Sequence, residues 1–318
     1  MGMVLGTPYA ELWEGFLAFE KRRVSASGFK ALRDMSYRLL KWLEEQDVPP
    51  GEVTVREALE YKAHVAGLVT KEGKPLSAGT CRNRLTTGRK LFRYAVTVGK
   101  RDSNPFMAAG YPRLPERINR NVLTEAQMNA LLERLRLFTD AGGYQVHVLA
   151  ELLYAAGLRI AEAAGLVPHD IDSRQRMVYV RQGKGGKSRT AFLTGYAAEV
   201  LEQYLARGRD MAFRSYCGPR SQGHTLFGIG ARSLEQKINT FLLGACTALE
   251  LPVITSHGFR HSLGTHLLRA GCDMRYIQVI LGHENLRATQ VYTHVDKDEV
   301  KASLDVHHPR QWKKTGEV

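Results

Sequence analysis

Apolar residues recur at helical spacing along most of this chain and at strand spacing in one short stretch. Leu12, Phe16 and Phe19 repeat with Glu11, Glu14 and Lys21 between them, as on an amphipathic helix. Leu32, Leu39, Leu40 and Leu43 predict a second helix over 29–43, ended by Val48-Pro49-Pro50-Gly51. A third helix is predicted over 55–65, and a fourth from Ser77 or Thr80 to about Val98. Asn104-Pro105 breaks that pattern, and Tyr111-Pro112-Arg113-Leu114-Pro115 reads as an extended linker. The chain therefore divides into a helical domain over 1–110, a linker over 111–121 and a second domain over 122–318.

Thr124-Glu125-Ala126-Gln127 opens the second domain as a capping box, with Thr at the N-cap and Gln at N3. Helices follow over about 125–138 and 145–156, and Gly157 suits a left-handed end to the latter. Arg176 to Arg181 and Arg189 to Leu193 read as two strands joined by the glycine-rich segment Gln182 to Ser188. Further helices are predicted at about 196–206, 232–249, 259–270, 273–281 and 286–293. The tail from Asp296 to Val306 forms a short amphipathic helix with Val300 and Leu304 on one side. The expected fold class is mainly α with a small β-hairpin in the second domain, an α+β arrangement.

Charge narrows the choice of partner. The chain of 318 residues carries 45 Lys and Arg against 32 Asp and Glu, a formal +13. The excess is spread over both parts, with 21 basic and 13 acidic residues through residue 121 and 24 and 19 after it. This favours a polyanion gripped from two sides. The span from Gly73 to Arg101 holds no acid, and Arg82, Arg89 and Arg93 share one side of the fourth helix. Together with Arg84 and Lys90 they are the candidate DNA contacts; a solvated basic face is the bland alternative. Glu11, Glu14 and Glu20 interrupt any signal-peptide pattern, and no stretch reaches bilayer length, so no membrane partner is expected. Cys81, Cys217, Cys246 and Cys272 form no CxxC pair, which fits a reducing, intracellular setting.

Gly183-Lys184-Gly185-Gly186-Lys187-Ser188 is not a phosphate-cradling P-loop, because Arg181 stands where glycine is needed and a strand follows. His257 and His261 lie one helical turn apart, but Gly258 replaces the Glu of a hydrolytic zinc helix, so no metal is expected. Taken alone, Arg159 near Glu162 reads as an ordinary i, i+3 pair and Tyr292 as a half-buried helix residue.

Together these segments change that reading. Tyr154-Ala155-Ala156-Gly157-Leu158-Arg159-Ile160-Ala161-Glu162, the Gly183-Lys184-Gly185 turn, His257-Gly258-Phe259-Arg260-His261-Ser262, Leu281-Gly282-His283 and Thr289-Gln290-Val291-Tyr292-Thr293-His294 stand in order. With the closing His308-Pro309-Arg310 they strongly resemble the tyrosine recombinases, within them the Xer-like site-specific recombinases and phage integrases. The likeness is dense over 122–310 and covers the first domain only in general plan, as a helical core-binding domain. It implies that Arg159 and Arg260 clamp the scissile phosphate and that Lys184 protonates the departing 5′-hydroxyl. It implies likewise that His257 assists proton transfer at the nucleophile, that His283 hydrogen-bonds the phosphate, and that Tyr292 is the nucleophile. A phenol with a pKa of about 10 needs such cations to react at neutral pH, and paired guanidiniums match phosphate oxygens.

The resemblance further implies a C-shaped two-domain clamp on double-stranded DNA and a homotetramer on synapsed duplexes. Strand exchange would pass through a Holliday junction, with neither ATP, metal nor other cofactor. The tail helix is a candidate for docking into a neighbouring protomer, or it folds back on its own domain. A second recombinase or an accessory protein stays open as a partner, and the setting implied is the cytoplasm, at the nucleoid. Three alternatives stand beside this reading: type IB topoisomerase-like relaxation, a non-catalytic DNA-binding protein on the same fold, and a metal-dependent nuclease.

Overall fold

The computed structural model describes residues 3–24, 26–112, 122–181, 183, 188–210, 224–282 and 296–310. The chain divides into two compact units, residues 1–118 and 119–318. In the first, α1 (Tyr9–Glu20), α2 (Ala26–Glu45), α3 (Val55–Gly67) and α4 (Ala78–Thr97) enclose a core of Phe16, Leu39, Leu40, Leu43, Tyr61 and Phe92. Thr54 and Glu57 cap α3 reciprocally: Thr54 N donates to Glu57 Oε2 at 2.7 Å and Arg56 N to Thr54 Oγ1 at 3.1 Å. Ser77 starts α4 by accepting from Thr80 N at 3.2 Å. Beyond Asn104 a 3₁₀ turn, Pro105–Met107, lays Phe106 on Phe92 with ring centroids 5.2 Å apart.

The second unit begins with the predicted Thr124–Gln127 capping box on α5 (Glu125–Arg136). Next, α6 (Ala141–Ala156) starts four residues earlier than its apolar pattern indicates. Asp140 Oδ1 accepts from Gly142 N and Gly143 N at 2.9 and 3.1 Å, so the cap overrides two weak helix formers. Because α6 is apolar on nearly every side it is the buried centre of this unit. It packs against α5 and against α8 (Gly195–Gln203), α9 (Ala231–Ala248) and α10 (Ser256–Arg269).

After the short α7 (Ile160–Gly165) comes an antiparallel sheet of three strands, β1 (Ile171–Asp172), β2 (Met177–Val180) and β3 (Arg189–Phe192), in that order. The expected two-stranded hairpin thus gains a third strand, too short to show periodicity. Its own strands are shorter than the predicted 176–181 and 189–193. Met177 pairs with Phe192 and Val180 with Arg189, so the loop carrying Lys184 leaves from a fixed base. Helix α8 continues into a π-turn at Tyr204–Gly208, and α11 (Met274–Leu281) and α12 (Lys297–His307) complete the unit. The helix expected over 286–293 lies outside the described residues.

Helix α12 packs on its own unit. Val300 and Leu304 are buried in the core, and Asp305 takes a bidentate pair from Arg176 at 2.7 and 2.6 Å. Beyond it, His308 Nδ1 accepts from Arg310 N at 2.9 Å, which leaves Nε2 to donate to the Tyr154 carbonyl at 3.3 Å. Among the described residues no helix is long and apolar enough to cross a membrane, and Cys81, Cys246 and Cys272 are buried and free.

Burial pushes His308 and His147 down to about 4. Between that value and the ordinary 6.5 the unfolded chain binds protons that the folded chain refuses, so stability falls on acidification. For His308 alone the loss at pH 5 is about 2 kcal/mol. Buried Glu151, raised to about 7, works in the opposite direction over much of that window, against two histidines. The unfolding midpoint is expected to drop between pH 7 and pH 5, and to drop less in His308→Asn. Equal drops in the two proteins would remove His308 from the account.

Candidate active site

The site is built where α6 ends. Gly157 closes that helix in the left-handed conformation, φ 58° and ψ 31°. A side chain there would also collide with the packed helices, since its Cβ would lie 2.8 Å from Leu281 and 3.1 Å from Leu263. The turn places Arg159 in extended conformation at the N-cap of α7. It also exposes the Gly157 carbonyl to α10, where Arg260 Nη1 donates to it.

Glu162, 4% exposed, sits at the hub. Its Oε1 accepts from Arg159 Nη1 at 2.9 Å, and its Oε2 accepts from Arg159 N and from Arg189 Nη2, each at 2.9 Å. Burial pushes this carboxyl up, but the hydrogen bonds and charges of Arg189 and Arg159 outweigh it and hold the group below the usual carboxylate range. Arg260 is 8% exposed, and burial, then repulsion from Arg159 and Arg189, lower it to about 10. It therefore stays charged at neutral pH. Its Nη2 is buried without a hydrogen-bond partner among the described residues.

Three guanidiniums thus surround one carboxylate, and two of their donors, Arg260 Nη2 and Arg189 Nε, are buried without a hydrogen-bond partner among the described residues. Such a cluster is short of an anion. Arg159, His257 and Arg260 line one cleft of about 470 Å³ together with Met274, Ile277 and Leu281. His257, in the first turn of α10, is exposed to it. The cleft suits a singly charged phosphodiester: two fork-shaped cations for the non-bridging oxygens and an imidazole beside them. His261 also lines it, yet among the described residues no three His, Cys, Asp or Glu are arranged to hold a metal.

Of the six catalytic candidates, Arg159, His257 and Arg260 are brought together; Lys184, His283 and Tyr292 lie outside the described residues. Their flanks are described: β2 and β3 bracket Lys184, and Gly282, left-handed at φ 61°, immediately precedes His283. Sequence reasoning missed Arg189. Its signal was an arginine opening a strand whose later residues are buried.

The first-unit candidates do not form one patch. Arg82 and Arg89 both cover the Tyr111 ring, 4.7 and 3.9 Å from its centroid. Arg89 also donates to the carbonyls of Phe106 at 2.9 Å and Met107 at 3.2 Å, so its donors serve its own backbone. Arg93 is exposed and Lys90 half-buried. Arg84 faces elsewhere, lining a cavity with Arg38, Lys41, Trp42 and Tyr61.

The sequence profile of the phage integrase family matches residues 121–299. The chain is 33% identical over 233 residues to tyrosine recombinase XerC of Halalkalibacterium halodurans, covering 73% of this chain and 76% of that one. It is 32% identical over 296 residues to tyrosine recombinase XerD of Proteus mirabilis, covering 90% and 88%. In fold it resembles XerH site-specific recombinase bound to difH substrate, with TM-score 0.64, 18% identity and coverage of 93% and 97%. The Tn1549 transposon integrase in complex with circular intermediate DNA gives TM-score 0.63, 20% identity and coverage of 92% and 98%. On the matched profile and the identity to these relatives, the chain belongs to the phage integrase family of tyrosine recombinases.

Proposed function

We propose that this tyrosine recombinase cuts and rejoins double-stranded DNA at specific sites through a covalent protein–DNA intermediate. The observation that carries the reading is the buried Arg260, its Nη2 without a hydrogen-bond partner among the described residues, lining one cleft with Arg159 and His257. In the reaction Tyr292 Oη attacks the phosphorus and the bond to the 5′-oxygen breaks, leaving a 3′-phosphotyrosyl ester. The phenol proton leaves with help from His257, and Lys184 gives a proton to the departing 5′-oxygen. Arg159 and Arg260, with His283, balance the charge that grows on the non-bridging oxygens. One ester replaces another, so the bond energy is conserved and rejoining consumes no ATP.

Residues 1–110 serve as the core-binding grip on DNA and residues 122–318 as the catalytic domain. Arg82, Arg84, Arg89, Lys90 and Arg93 supply positive charge to the first, though Arg82 and Arg89 do so while stacked on Tyr111. The XerH and Tn1549 integrase structures named above hold DNA, which supports the same partner here. A homotetramer on two duplexes, resolving through a Holliday junction, completes the proposal; α12 folded back on its own domain is the arrangement taken for the tail.

The test uses duplexes that the protein itself selects from a random-sequence library, resynthesised with a nick beside the cleaved bond so that rejoining fails. An adduct that survives SDS, forms in EDTA and carries the nucleotide on Tyr292 by peptide mass is expected. DNA cut without an adduct would replace this reading with hydrolysis.

A further inference from the structure

Arg189 opens β3 five positions after Lys184, and its side chain is 15% exposed. Its Nη2 donates to Glu162 Oε2 at 2.9 Å, and its Nη1 reaches the Ile280 carbonyl at 3.4 Å. The third donor, Nε, is buried and has no hydrogen-bond partner among the described residues. The stem lies against Gly282: a Cβ added there would come 2.7 Å from Arg189 Cδ and 2.8 Å from Nε. One guanidinium therefore ties its own strand to two other segments, and all three lead to reacting groups. They are the helix whose carboxylate holds Arg159, the strand leaving the Lys184 loop, and the end of α11 where the chain passes to His283.

A buried cation next to two others is costly unless its geometry is needed. Arg189 repels Arg260, so it is not the cheapest way to neutralise Glu162. Its planar fork serves Glu162 and Ile280 at once, which a lysine's single ammonium at the same reach does not. We infer that Arg189 is a positioning residue for strand cleavage, orienting Arg159 through Glu162 and fixing the exit of α11 by its contact with Gly282. The inference rests on the tyrosine-nucleophile reading above.

Glu162 supplies a readout that simple structural support would not move. Among the described residues the charges facing it are Arg159 at the N-cap of its own helix, Arg189 from β3 and Arg260 from α10. Burial favours its neutral form, and Arg189 is the foremost group opposing that. Without Arg189 the carboxylate takes up a proton at higher pH and loses its ion pair with Arg159.

Single-turnover adduct formation on the selected nicked duplexes tests this. Arg189→Gln and Arg189→Lys are expected to slow it by about 100-fold, as misorientation alone can do, with duplex affinity within about threefold of wild type. The ratio of the Arg189→Gln rate to the wild-type rate should fall further from pH 8 to pH 6. In a Glu162→Gln background the Arg189→Gln change should cost less than about tenfold more, since the two share one interaction. Cleavage by Arg189→Lys within threefold of wild type, or a pH-independent ratio, would overturn the inference. So would loss of duplex binding in both variants, which would make the residue merely structural. An adduct absent from wild type itself would instead sink the tyrosine-nucleophile reading, and this inference with it.

Discussion

Changing Arg260 to alanine is expected to lower single-turnover DNA cleavage by about a thousandfold, while duplex affinity changes far less because many phosphate contacts share the binding. Removing the nucleophile outright, in Tyr292→Phe, should leave no adduct above background. The size of the Arg260 effect follows from its surroundings. The side chain is buried, Nη1 is fixed on the Gly157 carbonyl, and Nη2 has no hydrogen-bond partner among the described residues. The guanidinium is thus pre-oriented before a phosphate arrives. Lysine should not rescue, since one ammonium cannot hold Gly157 and a phosphate oxygen together.

Stability should move differently. Among the described residues Arg260 is repelled by Arg159 and Arg189 and attracted by Glu162, so its loss is expected to leave the melting temperature unchanged or to raise it. Depressed to about 10, it remains protonated below pH 9 and adds no slope to the pH profile there. Near-normal cleavage by a folded Arg260→Ala protein would remove this side chain from the reaction.

Much of this arrangement was legible because it is local. The Thr124–Gln127 box, the Ser77 cap and the left-handed Gly157 are written in a few adjacent residues, and each forms. Arg159 and Glu162 pair as their i, i+3 spacing indicates. The other half of the Glu162 cluster comes from Arg189, 27 positions away in sequence, and no periodicity encodes such a contact. Residue spacing correctly put Arg82 and Arg89 on one side of α4. It could not show that Phe106, Met107 and Tyr111 return to that side and occupy them. β1 escaped for a simpler reason: two residues carry no alternation.

The tail shows the same limit and gives the second large effect. The His308-Pro309-Arg310 segment was legible as a motif, but its partners are on helices more than 150 residues earlier. Arg310 donates to Glu151 through Nε at 3.2 Å and Nη2 at 2.7 Å, reaches Glu133 at 2.9 Å and lies over the Tyr196 ring. Glu151 is 1% exposed, and burial raises it to about 7 even with Arg310 beside it. Deleting the cation leaves an uncompensated buried acid, so Arg310→Ala is expected to cost about 3–5 kcal/mol. For a unit of this size that lowers the melting temperature by on the order of 10 °C.

The pH dependence identifies the cause. Without Arg310 the folded-state pKa of Glu151 rises further above its unfolded value. The folded chain then binds the extra proton, and stability is regained as pH falls toward 6 and lost as it rises toward 8. The gap between Arg310→Ala and wild type should therefore narrow on mild acidification, and Glu151→Leu combined with Arg310→Met should recover most of the loss. A gap that stayed constant from pH 8 to pH 6 would mean that lost packing on Tyr196, rather than the stranded Glu151 charge, sets the penalty.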